Sequence, residues 1–316
     1  MGPRNAADFA AYAALRVFVA TIQALPLGLC DRGAAGLAWL FDRVIRLRRR
    51  VVRENLKIAF PAASEAQIDR MTRQVWRHLF LMVAEIAHAP RKVHRSNWKS
   101  VTQIGDERAI VDLMLLPRPK VIISGHYGNF ELGGYLLGLF GFPTHTVARR
   151  LDNRYVDRWI NRFRGRTGQH ILPKDGSSGD IDRLMASGGV VALLGDQHAG
   201  PRGCWVNFFG KPASTHKAVA LFSLGYQAPT LVMTSRRRGA PLRYTVELAG
   251  VADPQADGFE LGDAASFTEW FTERLEAMIR RAPEQYWWVH RRWKGEPPPR
   301  AAARLAKRAQ AGASHG

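Results

Sequence analysis

Val121-Ile122-Ile123-Ser124-Gly125-His126-Tyr127-Gly128-Asn129-Phe130-Glu131 is the stretch on which the fold turns. It opens with a short apolar run, largely β-branched, the composition of a strand buried within a sheet. From Glu131 to Phe140 the pattern changes, with Leu132, Leu136, Leu137 and Phe140 on one side of a helix. His126 therefore falls in a strand-to-helix turn, and Glu131 about one turn further on. With Asn129 as the helix cap, unpaired N–H groups of the first turn point back towards the histidine. A carboxylate at this spacing can bind one ring nitrogen and leave the other free to take a proton from a hydroxyl. The plain alternative is a loop histidine followed by an ordinary helical glutamate.

The same alternation continues on either side. Val190–Leu194 and Thr230–Thr234 read as strands, and Tyr244–Leu248 as a fourth, more exposed one. Helical patterns occupy 131–140, 153–164, 178–186, 215–225 and 267–281. Short apolar runs alternating with helices predict an α/β fold: a central, mainly parallel sheet flanked by helices. Residues 1–90 read as all-helical, and Ser64 with Gln67 three residues on predicts a capping box at a helix start. The expected organisation is an N-terminal helical, membrane-associated region over 1–90, an α/β domain over 91–299, and a disordered basic tail over 300–316.

Forty-six basic against 27 acidic residues give a net charge of +19, which calls for a polyanionic partner: nucleic acid, an anionic membrane or an acidic protein. The N-terminus decides among these. Residues 9–30 (FAAYAALRVFVATIQALPLGLC) are mostly apolar and long enough to cross a bilayer, which needs about 20 residues. Arg16 near the middle costs roughly 2.5–3.5 kcal/mol on insertion, which sets a helix lying in the membrane plane against a spanning one. A second apolar stretch, Ala34 to Ile45, runs into Arg46, Arg48, Arg49, Arg50 and Arg53, the pattern of a segment held on anionic headgroups at a cytoplasmic face. The two cysteines, Cys30 and Cys204, suit a cytosol-facing protein without structural disulfides.

Arg150, Arg154, Arg158, Arg162 and Arg166 recur every four residues, a ridge of like charges that a bound phosphate or an acidic partner would relieve. Gly195-Asp196-Gln197 follows the strand Val190–Leu194, so Asp196 and His126 face one crevice if their strands run parallel. Phe208-Phe209-Gly210-Lys211-Pro212-Ala213 is expected to wall an apolar channel, and His290, within Trp287–Trp293, to pack or hydrogen-bond. The histidines form no spacing trusted as a metal site, and neither a nucleotide-binding glycine loop nor a serine-nucleophile elbow occurs. The expectation is chemistry without metal or cofactor, in which a substrate hydroxyl attacks directly with histidine as base.

In order along the chain, His126-x-Gly128-Asn129-x-Glu131, Arg149-x-Leu151-Asp152-Asn153, Gly195-Asp196-Gln197, Phe208-Phe209-Gly210-x-Pro212-Ala213 and Pro283–Arg292 together resemble the bacterial late acyltransferases of lipid A biosynthesis. These lie within the lysophospholipid acyltransferase superfamily, and Arg53-x-Asn55-Leu56 and Phe60-Pro61 fit the same pattern. The resemblance implies a glycerolipid acyltransferase-like α/β fold on the cytoplasmic face of the inner membrane. It implies transfer of an acyl chain from acyl carrier protein, or coenzyme A, to a hydroxyl of a phosphorylated glycolipid. By the same resemblance His126 is the catalytic base and Glu131 its carboxylate partner, while Asn129, Arg149, Arg166, Asp196 and Gln197 contact substrate. Backbone N–H groups near Gly128-Asn129 are the expected oxyanion donors. Other acceptors stay open, among them a lysophospholipid, an aminolipid or a phosphoinositol mannoside. A non-catalytic basic protein on membrane or nucleic acid stays open too, although nucleic acid is not the expected partner.

Overall fold

The computed structural model describes residues 3–173 and 176–313. Its N-terminal part is helical: α1 (Pro3–Ala24), α2 (Leu27–Leu40), one wider turn of π type (Phe41–Ile45), α3 (Arg49–Ala59) and α4 (Glu65–Lys92). The apolar run 9–30 is thus two helices, because Pro26 at φ −60°, ψ 143° cannot continue the first. Among the described residues no helix is long and apolar enough to cross a membrane. The capping box is present, with Ser64 Oγ accepting from the Gln67 N–H and Gln67 Oε1 from the Ser64 N–H.

Beyond α4 the chain alternates: α5 (Trp98–Val101), β1 (Thr102–Ile104), α6 (Glu107–Met114), β2 (Lys120–Ser124), α7 (Phe130–Leu139), β3 (Thr144–Ala148), α8 (Arg154–Gly165), β4 (Gln169–Pro173), α9 (Ser178–Ala186) and β5 (Val190–Leu194). A hairpin, β6 (Cys204–Phe208) and β7 (Lys211–Thr215), leads to α10 (Ala218–Gly225), β8 (Thr230–Arg237), β9 (Tyr244–Ala252), α11 (Ala264–Arg281) and α12 (Pro299–Ala313). Seven strands form one sheet in the order β1-β9-β8-β2-β5-β3-β4. All neighbours are parallel except β9 against β8. β2 lies at the centre, which explains its unbroken apolar sequence: Ile122 packs under α7, while Val121 and Ile123 face the opposite layer of α9, α10 and α11.

Three expectations need correction. The 300–316 tail is not structureless over its described part: α12 runs to Ala313, buries Leu305, and sets Arg308 against Glu269 of α11. Its Ala/Arg composition lacks a core periodicity but favours helix, and Glu269 and Ser266 of α11 hold it through Arg308. Residues 314–316 lie outside the described residues. The boundary at residue 90 falls inside α4. Residues from α3 and α4 share a core with the hairpin and Trp288, and Asn55 Nδ2 donates to the carbonyls of Trp288 and His290 at 2.7 Å each. Phe208 and Phe209 wall no channel; they are buried in that core at the hairpin turn, where Phe209 and Gly210 take φ of 51° and 72°.

Candidate active site

β2 and β5 are adjacent, parallel and in register, with Ser124 opposite Leu194. Their exits are tied by a bond from the Gly195 N–H to the Ser124 carbonyl. Two residues past each strand end stand His126 and Asp196, so the parallel pairing brings them face to face. Asp196 Oδ1 accepts from His126 Nδ1 at 2.7 Å, and Oδ2 from the His126 backbone N–H at 2.9 Å. Asp196 is buried. Burial alone would raise its pKa, but the His126 charge and hydrogen bonds, aided by Arg292, outweigh it and hold the carboxyl down at about 2. For His126, burial works to lower the pKa, while the charge and bond of Asp196 and the charge of Glu131 raise it above the ordinary value.

The carboxylate fixes the tautomer: Nδ1 carries the proton, so Nε2 presents a lone pair. The Gln197 amide nitrogen lies 3.2 Å from Nε2, and Phe130 packs edge-on against the ring at 4.8 Å between centroids, with Trp287 at 6.3 Å.

Glu131, expected as the histidine's partner, makes no hydrogen bond to it. As the second residue of α7 it reaches α8 instead, gripping Arg164 through Nε at 2.9 Å and Nη2 at 2.5 Å. Asp196 already occupies Nδ1, so Glu131 influences His126 through its charge alone.

Asn129, expected to contact substrate, is buried and holds structural bonds. It caps α7 by accepting from the Leu132 N–H, and its Nδ2 donates to Glu85 and to the Tyr244 hydroxyl, each at 3.2 Å. Glu85 in turn receives Arg237 at 2.7 and 2.6 Å, and Arg237 donates to His78 Nδ1 at 2.9 Å. A guanidinium only donates, so His78 keeps its proton on Nε2 and gives it to the Gly128 carbonyl, 3.2 Å away. Burial first, then Arg237, pushes the His78 pKa well below its usual value. Gly128 has φ +63°, and a Cβ there would stand 2.0 Å from the Ser235 carbonyl oxygen, so only glycine fits. This buried network props the loop from behind. Its sequence signal was His78 and Glu85, two turns apart on one face of α4.

The expected oxyanion donors are committed elsewhere: the Gly128 N–H bonds the Gln285 carbonyl and the Asn129 N–H that of Ser235, both at 2.9 Å. Arg149 is at the surface, paired with Asp152 at 2.6 Å. Arg166, just past α8, lines a groove of about 730 Å³ between α1, α4 and α8, walled by Leu15, Val19, Ile86, Ala87, Ile160 and Phe163 and bordered by Glu131 and Arg162. A second cleft of about 530 Å³ is lined by Trp76, Leu79, Phe80 and Trp287, with Arg48, His290, Arg291 and Lys294. His290 accepts from the His198 N–H, as a hydrogen-bonding rather than a ligating residue. Among the described residues no cluster of three or more His, Cys, Asp or Glu is placed to hold a metal ion.

A histidine held by a buried aspartate at the carboxyl edge of a parallel sheet, near grooves that are apolar inside and cationic at the rim, marks an α/β protein whose candidate site lies where such folds gather ligands. The chain belongs to the bacterial lipid A biosynthesis acyltransferase family, whose profile matches residues 3–295, and it is an acyltransferase. It is 28% identical over 291 residues to the lipid A biosynthesis lauroyltransferase of Escherichia coli K12, covering 86% of this chain and 88% of that one. To the palmitoleoyltransferase of the same strain it is 26% identical over 259 residues, covering 80% and 81%. Among solved structures, the 1-acyl-sn-glycerophosphate acyltransferase PlsC from Thermotoga maritima aligns with a TM-score of 0.38 and 10% identity, over 85% of this chain and all of that one.

Proposed function

We propose that the protein transfers a fatty acyl chain from acyl carrier protein, or coenzyme A, to a hydroxyl of a lipid A precursor at the cytoplasmic face of the inner membrane. The observation that carries this reading is the His126 Nδ1–Asp196 bond of 2.7 Å, which leaves the Nε2 lone pair to meet a substrate hydroxyl. The family relatives named as lipid A acyltransferases support the acceptor class.

In the proposed step, Nε2 takes the acceptor proton as the hydroxyl oxygen attacks the thioester carbonyl. The C–S bond of the tetrahedral intermediate then breaks, and the departing thiolate takes the proton from the imidazolium, giving ester and thiol. Asp196 stabilises the imidazolium throughout. The Gln197 amide, which meets Nε2 in the free enzyme, is displaced by the hydroxyl and is placed to donate to the developing oxyanion. The apolar groove between α1 and α8 would seat the acyl chain. The outward arginines of α8 (Arg154, Arg158 and Arg162) would meet the acidic donor, with Arg166 on the wall of the same groove as Glu131. Membrane attachment would be in-plane, through Val17, Phe18, Leu37 and Trp39 on the exposed face of α1 and α2.

Purified protein incubated with acyl carrier protein thioester and lipid A precursor, followed by mass spectrometry, tests the reading. A product heavier by one acyl chain is expected. Transfer to a lysophospholipid but not to the lipid A precursor would replace the acceptor.

A further inference from the structure

The second cleft differs in character from the acyl groove. It touches the reaction centre through Trp287, whose ring stands 6.3 Å from that of His126, whereas the α1–α8 groove reaches the centre through Glu131. The two share one wall residue, Val83 of α4, so they lie on either side of the same helix position. At the second cleft stand Arg48, Arg291 and Lys294, none of which makes a side-chain hydrogen bond or ion pair among the described residues. Most arginines that line the structural core of this chain are paired, as Arg49 is with Asp42 and Arg237 with Glu85.

Arg48 comes from one part of the chain and Arg291 with Lys294 from another, so no single helix face accounts for their lining one cleft. The bonds from Asn55 to the Trp288 and His290 carbonyls tie α3 to the C-terminal segment, and Arg48 and Arg291 line the same cleft. The convergence is also strained: Arg46 and Arg48 both take left-handed backbone, φ 55° and 51°, a conformation that non-glycine residues rarely adopt. Their repulsion and strain persist because the fold over-determines the turn, and an anion would relieve the repulsion. Beside it Val44, Ile45 and Leu47 are exposed, an apolar rim continuous with the face of α2.

We propose that this cleft, and not the α8 ridge, binds the phosphate of the acceptor glycolipid, with Arg48, Arg291 and Lys294 as its ligands. This rests on the acceptor class proposed above. The lipid's own chains would then stay along the apolar rim, its hydroxyl would reach Nε2 past Trp287, and the transferred chain would arrive from the opposite side of Val83. The arrangement keeps two hydrophobic substrates apart until their reacting atoms meet.

The test is steady-state kinetics with a lipid A precursor and the same lipid stripped of phosphate by phosphatase, varying acceptor and thioester donor separately. Arg48→Gly removes the guanidinium yet suits the left-handed backbone, and Arg291→Gln and Arg291→Lys flank it as charge-removing and charge-keeping variants. Loss of a hydrogen bond to a charged group predicts an acceptor KM raised roughly ten- to hundredfold. The donor KM should be unchanged, the preference for phosphorylated over stripped lipid lost, and Arg291→Lys should partly restore both. A raised donor KM, or a preference for phosphate that survives Arg48→Gly and Arg291→Gln, overturns the assignment while leaving the acyl transfer reading intact. Absence of any product from the phosphorylated lipid with the unaltered protein sinks the acceptor class and this proposal together.

Discussion

The proposed chemistry stands or falls on His126. His126→Ala removes the proposed base and should lower kcat/KM by about 10²–10⁴ with folding preserved, as checked by thermal melts alongside the rates. Asp196→Asn carries a sharper expectation. The base works unprotonated, and its pKa is raised because the charge and bond of Asp196 outweigh the opposing effect of burial. The acid limb of the kcat/KM profile should therefore lie above the ordinary histidine value, and Asp196→Asn should move it to lower pH. The plateau should fall as well, because an amide can donate to Nδ1 and so favour the tautomer with a protonated Nε2. A limb that does not move would mean that another group is the base. The sequence placed His126 and Asp196 correctly at the ends of parallel strands, since their positions follow from strand alternation alone. It pointed to Glu131 as the partner, whereas the carboxylate bonded to the ring is Asp196, because five-residue spacing favours Glu131 until one knows that β5 lies beside β2. Adjacency in a sheet is a long-range fact that local spacing does not carry, and the same holds for Arg164, which claims Glu131 from another helix.

Helix α8 concentrates the element-scale question. Its apolar residues Ile160 and Phe163 face the groove while Arg154, Arg158 and Arg162 are exposed. If Arg166 steers donor or acceptor into that groove, Arg166→Ala should lower turnover far more than Arg158→Ala, measured with saturating and limiting donor. Equal and small effects would reduce the ridge to a solvated face. On α4, Glu85→Ala leaves Arg237 buried without its carboxylate and should destabilise by roughly 3–5 kcal/mol in denaturant titration, taking the His126 loop with it. The elements most legible in the sequence were those with strong periods: α9 and β5 fall where the pattern put them. β3 and β4 were missed because Thr144-His145-Thr146 and Gln169-His170 interrupt the apolar signal towards the sheet edge. The β6–β7 hairpin was missed because Phe209-Gly210 turns the chain without the usual Asn-Gly or Asp-Gly pair.

At the scale of the whole molecule, charge and apolar surface fall on the same side of the question. The chain carries +19, and Phe9, Val17, Phe18, Leu29, Leu37, Trp39, Val44 and Ile45 are exposed along α1, α2 and the turn that follows. Large apolar residues grouped this way on a surface mark an interaction site. Arg46, Arg48 and Arg50 stand at the end of the same stretch, where each basic residue near an anionic bilayer adds about 1 kcal/mol. Deleting the region is a poor test, because α3 supplies Val52 and Leu56 to the core and its loss would unfold the enzyme. Phe18→Glu together with Trp39→Glu alters only exposed side chains. The doubly substituted protein should move from the membrane fraction to the supernatant, and its remaining attachment should weaken with added salt. Turnover of a short-chain, water-dispersed acceptor should persist, since neither residue lines the grooves or touches His126. If both proteins sediment equally with membranes in high salt, attachment does not run through this face. If the unaltered protein is fully soluble, the in-plane reading fails outright.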